Sequence, residues 1–261
     1  MGARERTIMM DIDGETIAIP RKKTRADKAP KQSARSDVEC IGMKTFSPSK
    51  WQKEALEVIQ EHDITFVDSV AGVGKTSVAL YYACQQYLAD VNKKIVFVRT
   101  PAEVGKDRIG FLPGAATTGM DDKLGPHFES TKALLVDFIG KNKMEADEGK
   151  RIFFTIPNFA LGKTYSDCIY VLDECQLMEP LILKLLLERI GHGTRCIVLG
   201  SSGQLYTENN HGRAALKDAL KRFFTPEMEK KYDRIGYYKF PLDAIQRADV
   251  VKDVIIAYDN E

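Results

Sequence analysis

Residues 64–88 read ITFVDSVAGVGKTSVALYYACQQYL, and the fold turns on them. Ile64–Asp68 is a short apolar run rich in β-branched and aromatic residues, the pattern of a buried strand. Residues 75–88 have the length and composition of a helix. Ser69-Val-Ala-Gly-Val-Gly-Lys-Thr76 joins the two. A strand entering a helix through such a loop is the context in which Gly-Lys-Thr binds phosphate. Gly72 and Gly74 let the backbone curl so that its N–H groups point inward at phosphate oxygens. The positive end of the helix adds to them. Ala71, Gly72, Val73, Gly74, Lys75, Thr76 and Ser77 are the expected nucleotide cradle. Lys75 should reach the β- and γ-phosphates of ATP, and Thr76 should place its hydroxyl on Mg²⁺. The usual spacing opens on glycine; Ser69 stands there instead. The competing reading is a glycine-rich turn that holds no ligand.

About 100 residues further on, Ile169-Tyr-Val-Leu-Asp-Glu174 is a second apolar strand, and it ends in two acids. Asp173 is expected in the Mg²⁺ shell, and Glu174 as the group that orients or polarises an attacking water. A nucleotide kinase needs no such carboxylate, because its acceptor is a second substrate. The Asp-Glu pair therefore favours hydrolysis. A kinase also carries an arginine-bearing lid, and no arginine cluster in a mobile-looking segment follows residue 150.

The chain has 261 residues, 44% hydrophobic and 29% charged, which suffices for one large α/β domain or two small ones. This excludes a wholly disordered, collagen-like or disulfide-scaffold protein. Lys+Arg is 38 and Asp+Glu is 37, so a uniform field for nucleic acid or membrane is absent. The positive charge is segregated, with net +4 in residues 1–35 and −3 in the remainder. Residues 21–35 hold seven basic side chains and one acid without apolar periodicity. They read as a solvated linker or as an arm for nucleic acid. Cys40, Cys84, Cys168, Cys175 and Cys196 are odd in number and widely spaced, which suits reduced thiols in the cytoplasm. Zinc-ligand spacing is missing. No apolar run approaches the roughly 20 residues of a membrane span, and MGARERTIMM does not read as a secretion signal.

Around the loop the pattern alternates. Residues 7–11 and 15–19 flank Asp13-Gly14, a hairpin signal. Ser47-Pro48 reads as a helix cap followed by proline at the first helical position, before Trp51, Ala55, Leu56 and Ile59 at helical spacing. Strands are expected at Lys94–Arg99, 151–156, 168–172, Arg195–Gly200 and 234–240. Helices are expected at 126–141, 179–190, 212–223 and 248–258. Helix 179–190 is apolar enough to require packing on most sides. Residues 100–125 are rich in glycine and proline and read as a functional surface loop. Buried β-runs alternating with helices mean a mostly parallel sheet with helices on both faces. The expected domains are an N-terminal hairpin and basic linker, 1–46, and an ATPase domain, 47–261.

AGVGKT with Asp173-Glu174-Cys175-Gln176 resembles superfamily 1 helicases, whose second motif reads D-E-x-Q. The match narrows to the PhoH family of ATPases on four further stretches. These are Val98-Arg99-Thr100-Pro101 with Gly105, Ile109-Gly110-Phe111-Leu112-Pro113-Gly114, Leu161-Gly162-Lys163-Thr164, and Glu188-Arg189-Ile190-Gly191. Arg247-Ala248-Asp249-Val250-Val251 fits more loosely. The resemblance spans roughly residues 48–258. It implies a single RecA-like P-loop NTPase core in which Arg195–Gly200 lies between the phosphate-loop strand and the acidic strand. Where the family has Gly-Asp and then Gln, this chain has Gly200-Ser201-Ser202-Gly203-Gln204. Gln204 is a candidate γ-phosphate sensor. Gln52 resembles the glutamine that reads adenine; otherwise it is an exposed helix residue. Arg99, Thr100, Lys106, Arg108 and Phe111 resemble the element that tracks nucleic acid. Phe111 and Leu112 could equally pin the loop to the core. His192 and His211 read as turn and cap residues.

The resemblance implies an ATPase acting on or regulated by single-stranded nucleic acid, RNA favoured. A binding module, a nucleotide-dependent switch with weak hydrolysis, is the alternative from another class. Only one helicase-like core fits in this length. The arginine for the γ-phosphate is therefore expected from a neighbouring subunit of a homo-oligomer, as in a head-to-tail ring. Arg247 is the first choice, then Arg189 and Arg213.

Overall fold

The Asp13-Gly14 turn signal is flanked by β1 (Thr7–Ile12) and β2 (Glu15–Pro20), which pair antiparallel with Ile12 opposite Glu15. The structure is a computed structural model, and it describes residues 7–12, 15–20, 43, 45–101, 118–203 and 214–259. The chain divides into two compact units, Met1–Glu39 and Cys40–Glu261. The basic segment 21–35 lies outside the described residues.

In the second unit, six apolar runs form one sheet. They are β3 (Ile64–Asp68), β4 (Lys94–Arg99), β5 (Ile152–Thr155), β6 (Cys168–Asp173), β7 (Arg195–Gly200) and β8 (Ile235–Lys239). Their order is β5-β4-β6-β7-β3-β8, and every neighbouring pair is parallel. β7 therefore separates β3 from β6, the order the resemblance implies.

A parallel sheet must be covered on both faces, and the strands alternate accordingly. Ile95 and Phe97 of β4 face one core, with Val67, Val171, Ile197 and Leu199. Val96 and Val98 face the other, with Phe66, Leu172 and Val198. Helices α1 (Lys50–Glu61), α2 (Lys75–Ala89) and α3 (Thr118–Ile139) supply the first core. Past Gly140 runs α4 (Lys141–Asp147), and past β5 runs α5 (Pro157–Ala160). The second core takes Ala160 of α5, Leu183 and Leu186 of α6 (Pro180–Leu187), and Leu216 and Ala219 of α7 (Ala215–Phe223). The last helix, α8 (Asp249–Asp259), lays Ile255 against the first core.

Three local expectations need correction. α1 starts at Lys50, capped by Ser49 and not by Ser47. Ser49 and Gln52 form a reciprocal capping box, which satisfies two orphan amides where a Ser47 cap would satisfy one. α3 begins at Thr118, so Pro126 lies inside it and does not open it. α6 is less enclosed than its composition suggests, because Leu183 and Leu186 are buried while Leu181 is 59% exposed.

Candidate active site

Gly72 (φ 88°) and Gly74 (φ 80°) both take the left-handed conformation in the loop after β3. Contact excludes a side chain at Gly74 as well, where the neighbour is buried and hydrogen-bonded, while at Gly72 the neighbour is the stem of an exposed arginine that can shift. A Cβ on Gly72 would lie 2.8 Å from Cδ of Arg247, and one on Gly74 would lie 2.8 Å from Nε2 of Gln52. Gly74 is the N-cap of α2 and brings no capping side chain. The first intrahelical bond is Val78 N to Gly74 O, 3.0 Å. The amides of Lys75, Thr76 and Ser77 precede it, the usual orphan donors of a helix start. Val73 is buried, while Ala71, Lys75, Thr76 and Ser77 are half-exposed on the loop and the first turn.

Gln52 is 2% exposed, so it is not a solvated helix glutamine. Its Nε2 donates to Val73 O at 3.1 Å, and its Oε1 accepts from Ser49 N at 3.0 Å. The side chain braces α1 against the phosphate loop. From the other side, Gln246 N donates to Gly72 O at 3.0 Å. Arg247 follows, an exposed residue whose stem lies on Gly72 of its own chain. Arg247, expected to serve a neighbouring subunit, thus lies beside the phosphate loop of its own chain.

Asp173 ends β6, one strand beyond β7, and Glu174 follows it as the cap of a short 3-10 turn, Cys175–Leu177. Asp173 is fully buried, and burial pushes its carboxyl up to about 6. The charge of Glu174 adds to the rise, while Arg99 and Lys75 oppose it. Glu174 takes the left-handed conformation (φ 57°), which non-glycine residues avoid. Its Oε2 accepts from Gln176 Nε2 at 2.6 Å, and its Oε1 lies 3.7 Å from NH2 of Arg99. Arg99 also lies 4.0 Å from Asp173 and donates to His127 O at 3.3 Å. Arg99, read from the sequence as a tracker of nucleic acid, thus faces the two carboxylates.

The donors available for Mg²⁺ are a threonine hydroxyl and a buried carboxylate, both hard oxygens. A cation that keeps most of its shell as water and substrate phosphate suits such a pair. Among the described residues no cluster of three or more metal-ligating side chains exists. A carboxylate whose burial disfavours its charge is also one that a divalent ion would relieve. The residues fit the ion.

Among the other residues singled out in the sequence, His192 and Arg189 are described, and His192 is the turn residue it was expected to be. His192 is exposed in the turn before β7, where its carbonyl accepts from Asp167 N at 2.9 Å. Arg189 is half-buried, and its Nε has no hydrogen-bond partner. Gln204, Lys106, Arg108, Phe111, His211 and Arg213 lie outside the described residues. Asp68, Ser202 and Tyr237 escaped the sequence reading. An acid ending an apolar strand beside the phosphate loop was the available signal.

An all-parallel sheet covered on both faces, with a phosphate loop after β3 and acids at the tip of β6, is a RecA-like P-loop NTPase core. The chain belongs to the PhoH family, described as PhoH-like protein, whose match covers residues 46–259. A PhoH-like protein of Synechocystis is 32% identical over 167 residues, covering 64% of this chain and 48% of that one. A PhoH-like protein of Bacillus subtilis is 29% identical, covering 80% and 62%. Protein PhoH of Escherichia coli K12 is 26% identical, covering 85% and 62%. The chain thus spans between about half and three-fifths of the length of these relatives. Among solved structures, the helicase MrfA aligns with TM-score 0.44 and 12% identity over 85% of this chain and 39% of that one. The Hef helicase domain of Pyrococcus furiosus aligns with TM-score 0.37 and 11% identity over 74% and 38%. No helix among the described residues is long and apolar enough to cross a membrane.

Proposed function

We propose that this chain hydrolyses ATP with Mg²⁺ and that single-stranded nucleic acid, RNA in preference, regulates the hydrolysis. The observation that carries the reading is that the phosphate loop after β3 and the Asp173-Glu174 end of β6 lie at one carboxyl edge of the sheet with only β7 between them, where open α/β sheets bind ligands. The amides of the loop and Lys75 hold the β- and γ-phosphates. Thr76 and Asp173 hold the ion, which when bound neutralises charge developing on the phosphates. Glu174 takes the proton of the attacking water. Arg247 reaches the γ-phosphate from its own chain, and Gln52 keeps the loop closed beside the adenine. The nucleic acid engages residues 99–101 and the stretch after them, and Arg99 carries its effect to Glu174. A second reading, a nucleotide-dependent switch, draws on the hold that Arg99 and Gln176 have on both oxygens of Glu174.

Phosphate release with and without a single-stranded RNA is the deciding measurement. Glu174→Gln keeps the shape and removes the base, so ATP should bind as before while turnover falls roughly 10²–10⁴-fold. Equal turnover in variant and parent would remove Glu174 from the chemistry and favour the switch.

A further inference from the structure

Asp68 closes β3 immediately before the phosphate loop and is 2% exposed. A carboxylate that far from water requires donors. Ser202 N donates to its Oδ1 at 2.8 Å, Ser202 Oγ to its Oδ2 at 2.6 Å, and Tyr237 OH to its Oδ2 at 3.2 Å. Burial, with the charge and hydrogen bond of Asp68, pushes the Tyr237 hydroxyl well above its ordinary range, so it remains a donor.

These bonds do not end at Ser202. Ser201 N donates to Gln176 Oε1 at 3.2 Å, and Gln176, 3% exposed, donates through Nε2 to Glu174 at 2.6 Å. Arg99 meets the other oxygen of Glu174. Asp68, Ser202, Ser201, Gln176, Glu174 and Arg99 form a line along the carboxyl edge. It crosses the tips of β3, β7, β6 and β4, which are neighbours in that order. At the usual strand spacing the line covers roughly 14 Å.

We infer that Asp68 is a positioning residue for Glu174. It pins the Ser201-Ser202 turn, the turn holds the amide of Gln176, and Gln176 aims the carboxylate of Glu174. The inference rests on the reading of Glu174 as the base. Glu174 needs such a guide because its left-handed backbone stands at the end of the strand ladder, where the pleat no longer directs the side chain. An acid suits the anchoring position because a carboxylate accepts all three bonds and donates none. Asparagine keeps one accepting oxygen and the shape.

The phosphate loop begins at the next residue, and Ser69 N donates to Gly200 O at 3.1 Å. Asp68 could therefore support ATP binding instead of Glu174, and the two roles separate in kinetics. Positioning predicts that Asp68→Ala lowers kcat roughly 10–100-fold while ATP affinity by calorimetry stays within about twofold. Asp68→Asn should recover much of the loss. Since Asp68 acts through Gln176, the double variant with Gln176→Ala should fall no further than Gln176→Ala alone. If Asp68→Ala does not fold, Ser202→Ala and Tyr237→Phe each remove one donor and should lower kcat in the same direction. Unchanged kcat, weakened ATP affinity with kcat intact, or additive losses would each overturn the inference. A parent that hydrolyses ATP through Glu174 yet ignores Asp68 would overturn this inference alone. A parent whose turnover survives Glu174→Gln would overturn the assigned base, and the positioning role with it.

Discussion

Asp173 holds its place against its own solvation. Burial drives the carboxyl from the ordinary 3.8 up to about 6, and the Glu174 charge beside it pushes the same way. Above pH 6 the folded protein carries this charge at a cost. As pH falls from 6 towards 3.8 the fold takes up the proton ahead of the unfolded chain, and the cost fades. Below 3.8 both states are protonated and no difference remains. Asp173→Asn is neutral at every pH and keeps an acceptor for Glu174 N, now at 3.1 Å from Asp173 Oδ1. In metal- and nucleotide-free protein it should raise stability at pH 8 by up to about 3 kcal/mol. The gain should shrink through pH 6 and vanish near pH 4. Denaturant titration at the three pH values checks this, and a gain flat with pH would mean that the charge is not its source. Asp173 and Glu174 were legible in the sequence because two acids ending an apolar run stand out in a short window. Asp68 was not, because its partner Ser202 is 134 residues away.

At the level of elements, α2 is held at both ends by different means. Its N-terminus is the glycine-capped start beside the loop. At its C-terminal end, NH2 of Arg151 donates to Tyr87 O, Asp90 O and Lys93 O at 3.0, 2.8 and 2.9 Å. The guanidinium lies 4.0 Å from the Tyr87 ring centroid and 3.7 Å from Asp147, which also accepts from Tyr87 OH. Cations at helix ends satisfy the last carbonyls and the negative end of the dipole. Arg151→Ala should therefore cost roughly 2–4 kcal/mol, since three charge-assisted bonds are lost together. Arg151→Met should cost less, because its stem still covers Tyr87. Chemical denaturation of the two variants checks the order. The strands were legible from their apolar runs nearly to the residue. Helix starts were less so: Ser47-Pro48 and Pro126 are good local signals, overruled by the Ser49–Gln52 box and by the earlier start of α3.

Across the whole molecule, the sheet order assembles the site from segments far apart in sequence. It sets β7 between the loop strand and the acidic strand, and β8 on the far side of β3. The chain after β8 then returns over the loop, with Gln246 bonded to Gly72 and Arg247 lying on it. If this arginine serves its own loop, as proposed, no neighbour has to supply one. Mixing Lys75→Ala with Arg247→Ala subunits should consequently restore no ATPase activity, and the rate per subunit should not change with protein concentration. Recovery of activity on mixing would mean that Arg247 acts between subunits and leaves its own loop when ATP binds.

Gly-Lys-Thr after an apolar strand, the Asp-Glu ending and the alternation of apolar runs with helices were set by the sequence itself. Each rests on backbone freedom, side-chain chemistry or periodicity within a few residues. Tertiary structure alone decided that Gln52 braces the loop, that Arg99 turns to the carboxylates, that Asp68 reaches Ser202 and that Arg247 lies on Gly72. Those partners meet only through strand order and register, because hydrogen bonds and contacts act over a few ångströms while the residues that make them stand tens to more than a hundred positions apart.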